Sequence, residues 1–248
     1  VSHLRFGKEP IKSPYLILNS DFISCSTQAY VHQYDLLKGL KKGGTFLLNT
    51  VWSVDELDER LPGNIKRYMA KNDTQFYIIN ATKVAEKIGL GRRINTIMQA
   101  AFFKLADIIQ INDAVKFMKE GIMKSYSKKG DKIVKMNYEA IDAGINPDIL
   151  TKVEISADWI NAQDKTIKVK DEPKFVKEIL RPVNRFEGNN IPVSAFIGNE
   201  DGTYMAGSSA YEKRGIAVNV PQWIPENCIQ CNQCSFVCPH AAIRPLLM

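Results

Sequence analysis

The 248-residue chain is 45% hydrophobic and carries 33 Lys and Arg against 27 Asp and Glu, a formal charge of +6. That length and apolar content suffice to bury at least one substantial core, and no run of eighteen apolar residues occurs, which excludes a membrane-spanning helix. The basic excess matches ordinary solvated surface charge and leaves room for an anionic cofactor or an acidic protein partner, with no nucleic-acid partner expected.

The first half alternates strand-like and helix-like segments. Tyr15-Leu16-Ile17-Leu18 reads as a first short strand, and apolar positions at Ala29, Leu36, Leu37 and Leu40 predict a helix that Gly43-Gly44 would break. Thr45-Phe46-Leu47-Leu48 reads as a buried strand, and Ser53 three residues before Glu56 is a capping-box pattern that predicts a helix over Val54 to Arg60. A helix near Ile65 to Ala70, a strand at Phe76-Tyr77-Ile78-Ile79 and a helix from Lys83 to Ile88, stopped by Gly89, continue the alternation. Asn95 to Gly144 turns helical, with stripes at Ile97, Ala101, Leu105 and Ile108 and at Val115, Met118, Ile122 and Tyr126. From Asn161 to Pro221 periodicity fades, which predicts an extended arm packed along other parts of an assembly. The fold expected is α/β, three layers around a mixed sheet, spanning residues 1–160, with a connector over 161–222 and a further small segment over 223–248.

That last segment carries the chemistry. Cys228, Cys231, Cys234 and Cys238, followed at once by Pro239, form a C-x2-C-x2-C-x3-C-P run, the bacterial ferredoxin signature for [4Fe–4S] clusters. Two intervening residues let a tight loop aim successive thiolates at different irons of one cube, while the fourth reaches a second cluster. Thiolates at this spacing also suit tetrahedral zinc, although the x3 spacing and Pro239 favour the cluster. A second cysteine run is needed to complete both cubes, and the sequence stops at Met248, so a cluster bound here alone is expected to be absent or labile. The one other cysteine, Cys25, reads as a small buried residue, and free thiols beside a ferredoxin run suit a reducing cytoplasm rather than a disulfide framework. Val1 in place of a methionine and the lack of a signal-peptide core suggest an excised piece of something longer.

Three strings carry a wider likeness: SHLRFGKEPIKSPYLI near the start, KKGGTFLLN from Lys41 to Asn49, and YEKRGIAVNVPQWIPENCIQCNQCSFVCPHAAIRP from Tyr211 to Pro245. With these the chain resembles pyruvate:ferredoxin (flavodoxin) oxidoreductase, specifically its gamma-type domain, the connector named for Glu212-Lys213-Arg214, and the first part of its ferredoxin-like domain. The resemblance implies oxidative decarboxylation of pyruvate on thiamine diphosphate and Mg, electron transfer through iron–sulfur clusters to ferredoxin or flavodoxin, and capture of the acetyl group by coenzyme A in a dimeric enzyme. No GDG-type thiamine diphosphate motif is present, so that centre belongs to other domains and this chain alone is expected to be inactive.

The gamma-type domain is associated with coenzyme A, whose phosphates call for cationic side chains and turn N–H groups. Candidates are the Gly7 to Ser13 loop with Lys8, Ile11, Lys12 and Ser13, then Lys41 and Lys42 before Gly43-Gly44, and Asn137 after the basic Lys132 and Lys135. Gly89-Leu90-Gly91 resembles part of a dinucleotide loop but follows a helix and lacks the third spaced glycine, which argues against nicotinamide binding. His240, beside the cysteine loop, is a candidate for tuning a cluster by hydrogen bonding. No catalytic side chain is expected. The rival reading is a scaffold that bridges other domains and holds no ligand of its own.

Overall fold

The computed structural model describes residues 2–164, 171–212 and 220–245, and the chain forms two compact units, Val1–Ile216 and Ala217–Met248. The first is built on a four-stranded sheet in the order β1 (Ser20–Cys25), β2 (Leu40–Asn49), β3 (Gln75–Ile79) and β4 (Leu150–Val153). The first three strands are parallel and β4 runs antiparallel against β3.

The two-residue period of the strands divides their side chains between two cores. On one face Phe46, Leu48, Phe76, Ile78 and Val153 pack with Val31, Leu37, Leu57, Ile65, Met69 and Trp159. Register partners Phe46 and Phe76 stack there at 5.3 Å between ring centroids. The other face presents Leu47, Tyr77, Ile79 and Leu150 to Ala85, Ile97, Met98, Ala101 and Ala140. Helices α1 (Leu57–Arg60) and α2 (Gly63–Lys71) cover the first face, and α3 (Ala81–Ile88), α4 (Asn95–Ala106) and α6 (Asp131–Gly144) cover the second, with α5 (Ile111–Tyr126) packed on α6. The expected mixed three-layer α/β arrangement is what forms.

Four local expectations are corrected. Tyr15 to Leu18 is not a strand: Leu18 is 78% exposed, and the chain enters the sheet only at Ser20, whose N–H donates to the Gly39 carbonyl at 2.8 Å. The polar Ser20-Asp21 is the strand entry, and Phe22 and Ile23 then turn to opposite cores. No helix spans Ala29 to Leu40. A 3-10 turn over Gln28–His32 suffices, because Val31 and Leu37 reach the core without a full apolar stripe. Gly43-Gly44 lies inside β2 as a bulge rather than ending a helix. Pairing jumps from Ser20↔Leu40 to Phe22↔Thr45, and Gly43 takes φ 73°, a left-handed geometry that a side chain would oppose. The capping box is used, with Glu56 accepting from the Ser53 N–H at 2.9 Å, but the helix it opens starts only at Leu57.

Within the region read as an arm, a π-helical turn over Val176–Leu180 runs into α7 (Arg181–Asn184) and buries Val176, Ile179 and Leu180. Pro182 has no N–H and its ring crowds the carbonyl four residues back, so the Arg181 N–H reaches the Val176 carbonyl instead, the i→i+5 bond of a π turn. The remaining described helix, α8 (Gln233–Phe236), lies in the second unit. Among the described residues no helix is long and apolar enough to cross a membrane.

Candidate functional site

In the second unit the four cysteines are free. Cys228, Cys231 and Cys234 are exposed and Cys238 is half-buried. Three non-glycine residues of this loop, Gln230, Asn232 and Ala241, adopt left-handed backbone angles of 58°, 59° and 51°. Such turns cost about 1–2 kcal/mol each and persist where something else fixes the backbone. Around Gln230 and Ala241, N–H groups face sulfur. The Gln230 N–H, then the Trp223 indole, hold the Cys228 thiol below its usual pKa. The N–H groups of Ile243, His240, Ala242 and Ala241 do the same for Cys238, and Ala242 donates to its Sγ at 3.3 Å. His240 therefore contributes through its backbone.

This donor set fits an iron–sulfur cluster: four free cysteines at ligand spacing, three of them exposed, with Cys228 and Cys238 already hydrogen-bonded at sulfur. Among the described residues no group of three or more His, Cys, Asp or Glu is gathered tightly enough for a single metal ion. A cube takes each thiolate on a different iron and needs no such convergence.

In the first unit, Ile11, Lys12 and Ser13 lie on a loop tied off by Arg5. Its guanidinium donates to the Ser13 carbonyl at 3.3 Å and the Tyr15 carbonyl at 2.6 Å and sits 5.1 Å from the Tyr15 ring centroid. Phe6 anchors the loop's base against Phe102 and Phe103 of α4. Ile11 and Lys12 are exposed and Ser13 is half-buried. Sequence reading did not single out Arg5. An arginine ten residues before a tyrosine carries no local signal, since the closure is made through backbone carbonyls.

Lys41 and Lys42 stand at the start of β2, each ion-paired: Lys41 with Asp21 at 2.7 Å and Lys42 with Asp73 at 3.0 Å. All four side chains are more than half exposed, so these pairs are weak and can exchange for a ligand. Asn137 is 6% exposed on α6. Its amide donates to the Ile133 carbonyl at 2.8 Å and accepts from Thr96 Oγ1 at 3.4 Å, bridging α6 to α4. Its neighbours Lys132 and Lys135 line an open pocket of about 570 Å³ with Ile88, Gly89, Met136 and Glu139. Glu212 is exposed, while Lys213 and Arg214 lie outside the described residues.

Comparison with known proteins brings in three family models along this chain: pyruvate ferredoxin/flavodoxin oxidoreductase over residues 1–146, a domain of unknown function designated EKR over 162–217, and a 4Fe-4S binding domain over 221–244. The chain is 58% identical over its whole length to a pyruvate-flavodoxin oxidoreductase of Enterobacter agglomerans and 53% identical to a pyruvate:ferredoxin oxidoreductase of Moorella thermoacetica. It spans 21% of the length of each of these curated relatives. A pyruvate oxidoreductase subunit of Thermotoga maritima aligns at 17% identity with a TM-score of 0.44, over 56% of this chain and 67% of that one.

Proposed function

Because the chain belongs to the pyruvate ferredoxin/flavodoxin oxidoreductase family, we propose that it is the part of such an enzyme that helps hold coenzyme A and supplies cysteine ligands to the electron-transfer clusters. The enzyme would convert pyruvate and coenzyme A to acetyl-CoA and CO2 in the cytoplasm, as a dimer, with ferredoxin or flavodoxin taking the electrons. Thiamine diphosphate and Mg would sit on domains outside this chain. A bound cluster supplies one-electron transfer. The chain's own part is to position four sulfurs and to aim N–H groups at Cys228 and Cys238, and that arrangement is the observation that carries the proposal.

For coenzyme A, the Arg5-tied loop offers exposed Lys12 and half-buried Ser13, and Lys41 and Lys42 offer charge that a phosphate can take over from Asp21 and Asp73. Those same ion pairs favour the second reading, a bridging scaffold whose lysines are already neutralised.

Calorimetric titration with coenzyme A beside dephospho-coenzyme A, at two salt concentrations, separates the two. Coenzyme A holding predicts saturable heat that weakens with salt and with loss of the 3′-phosphate. Lys12→Ala would then loosen binding roughly two- to fivefold, the scale of one exposed charge pair. No heat at millimolar ligand would leave the scaffold reading.

A further inference from the structure

Resting on the reading of Cys238 as a cluster ligand, we infer that Arg244 is a positioning residue for that ligand and sets the reduction potential of the cluster it serves. Arg244 Nε donates to the carbonyl of Ala241 at 2.9 Å. Ala241 is the left-handed residue of the Cys238 loop, with φ 51°, and its own N–H returns to the Cys238 carbonyl at 3.2 Å. The next residue, Ala242, donates its N–H to Cys238 Sγ at 3.3 Å.

These contacts form a chain of cause. Alanine enters the left-handed region only against a cost of about 1–2 kcal/mol, which glycine would avoid, so the turn at Ala241 needs an outside hold. Within the described residues the guanidinium of Arg244 provides one, by fixing the Ala241 carbonyl on the side of the turn away from sulfur. With that peptide plane fixed, the Ala242 N–H faces the thiolate. Two effects follow at the metal centre. The N–H bond withdraws charge from the sulfur, and the fixed guanidinium places a full positive charge one short turn away. Both stabilise the reduced cluster, which carries one more electron, and so raise its potential.

The experiment is an anaerobic redox titration of the cluster-loaded holoenzyme followed by EPR, with Cys238→Ser identifying the signal of the cluster concerned. Arg244→Leu removes both hydrogen bond and charge. It should shift the oxidised-to-reduced ratio at fixed potential about tenfold toward oxidised, equivalent to 59 mV for one electron. Arg244→Gln, which can still donate to Ala241, should shift it by about threefold, and Arg244→Lys, which keeps charge and a donor, by less than twofold. Unchanged potentials in all three variants at full iron and sulfide content overturn the inference, as does an equal shift for Lys and Leu. If Arg244→Leu loses its cluster, the Gln and Lys variants still order the potentials. Failure of the underlying reading looks different: wild-type enzyme whose cluster signal ignores Cys238→Ser.

Discussion

Replacing Gly144 with alanine sets two effects of opposite sign against each other. Gly144 closes α6, and a Cβ built there would lie 2.4 Å from the carbonyl oxygen of Ile97 and 2.7 Å from Cβ of Ala100, both on α4 and both fully buried. Helix propensity favours alanine by up to about 1 kcal/mol. Against it, backbone oxygen cannot rotate away, so α4 and α6 must part by roughly 1 Å to restore ordinary contact, an overpacking cost of about 1–3 kcal/mol. The net expectation is a loss of about 1 kcal/mol, or roughly 2–4 °C in melting temperature for a chain of this size. Gly121, exposed on α5 with nothing within 4 Å of its would-be Cβ, is the control. There the same substitution should stabilise by about 0.5–1 kcal/mol. Urea unfolding followed by far-ultraviolet circular dichroism reads both. A Gly144→Ala protein as stable as wild type would refute the claim that close helix approach demands glycine here.

Three further outcomes are expected. Burial lifts the Cys25 thiol from 9.0 to about 11, against a smaller opposing pull from the backbone hydrogen bond of Thr27. A raised folded-state pKa means stability that is complete below pH 9 and lost as pH rises through 11, so the stability difference between wild type and Cys25→Ala should shrink by about 2 kcal/mol between pH 8 and pH 11. A constant difference in chemical denaturation would show the thiol to be solvated. Asn49, 6% exposed, donates to the Ser26 carbonyl at 3.0 Å and accepts from the Ala81 N–H at 2.9 Å, joining the ends of β1 and β2 to the start of α3. Asn49→Ala should cost about 2–4 kcal/mol by stranding both groups, and a loss below about 0.5 kcal/mol in the urea midpoint would contradict this. Thr74 buries a hydroxyl that has no partner among the described residues, so Thr74→Val should leave stability equal or raise it by about 1 kcal/mol; a clear fall in melting temperature would mean the hydroxyl is paired in solution.

Much of the architecture is legible in the chain because its causes are local. Phe46 to Leu48 and Phe76 to Ile79 read as buried strands since each side of the sheet meets apolar neighbours, and the stripes at Ile97, Ala101 and Leu105 and at Val115, Met118, Ile122 and Tyr126 announce α4 and α5 directly, although Ile108, read with the first stripe, lies past the end of α4. The cysteine loop is legible for the same reason: its ligand spacing is set by a few consecutive backbone angles, so four cysteines and a proline state the chemistry without the fold.

What tertiary structure decided involves partners far apart in sequence. Edge strand β4 is four residues, Leu-Thr-Lys-Val, with too short a pattern to register until β3 supplies its ladder. Tyr15 to Leu18 carries apolar residues yet stays outside the sheet, because Ser20 is where hydrogen bonding to Gly39 begins. Lys41 meets Asp21 and Lys42 meets Asp73 only once the strands align, and Asn137 is consumed by Thr96, 41 residues away. Sequence alone determines which groups are chemically able to bind. The packing of distant segments determines which of them remain available, because a hydrogen bond or ion pair is decided by geometry at about 3 Å, and chain order does not encode that distance.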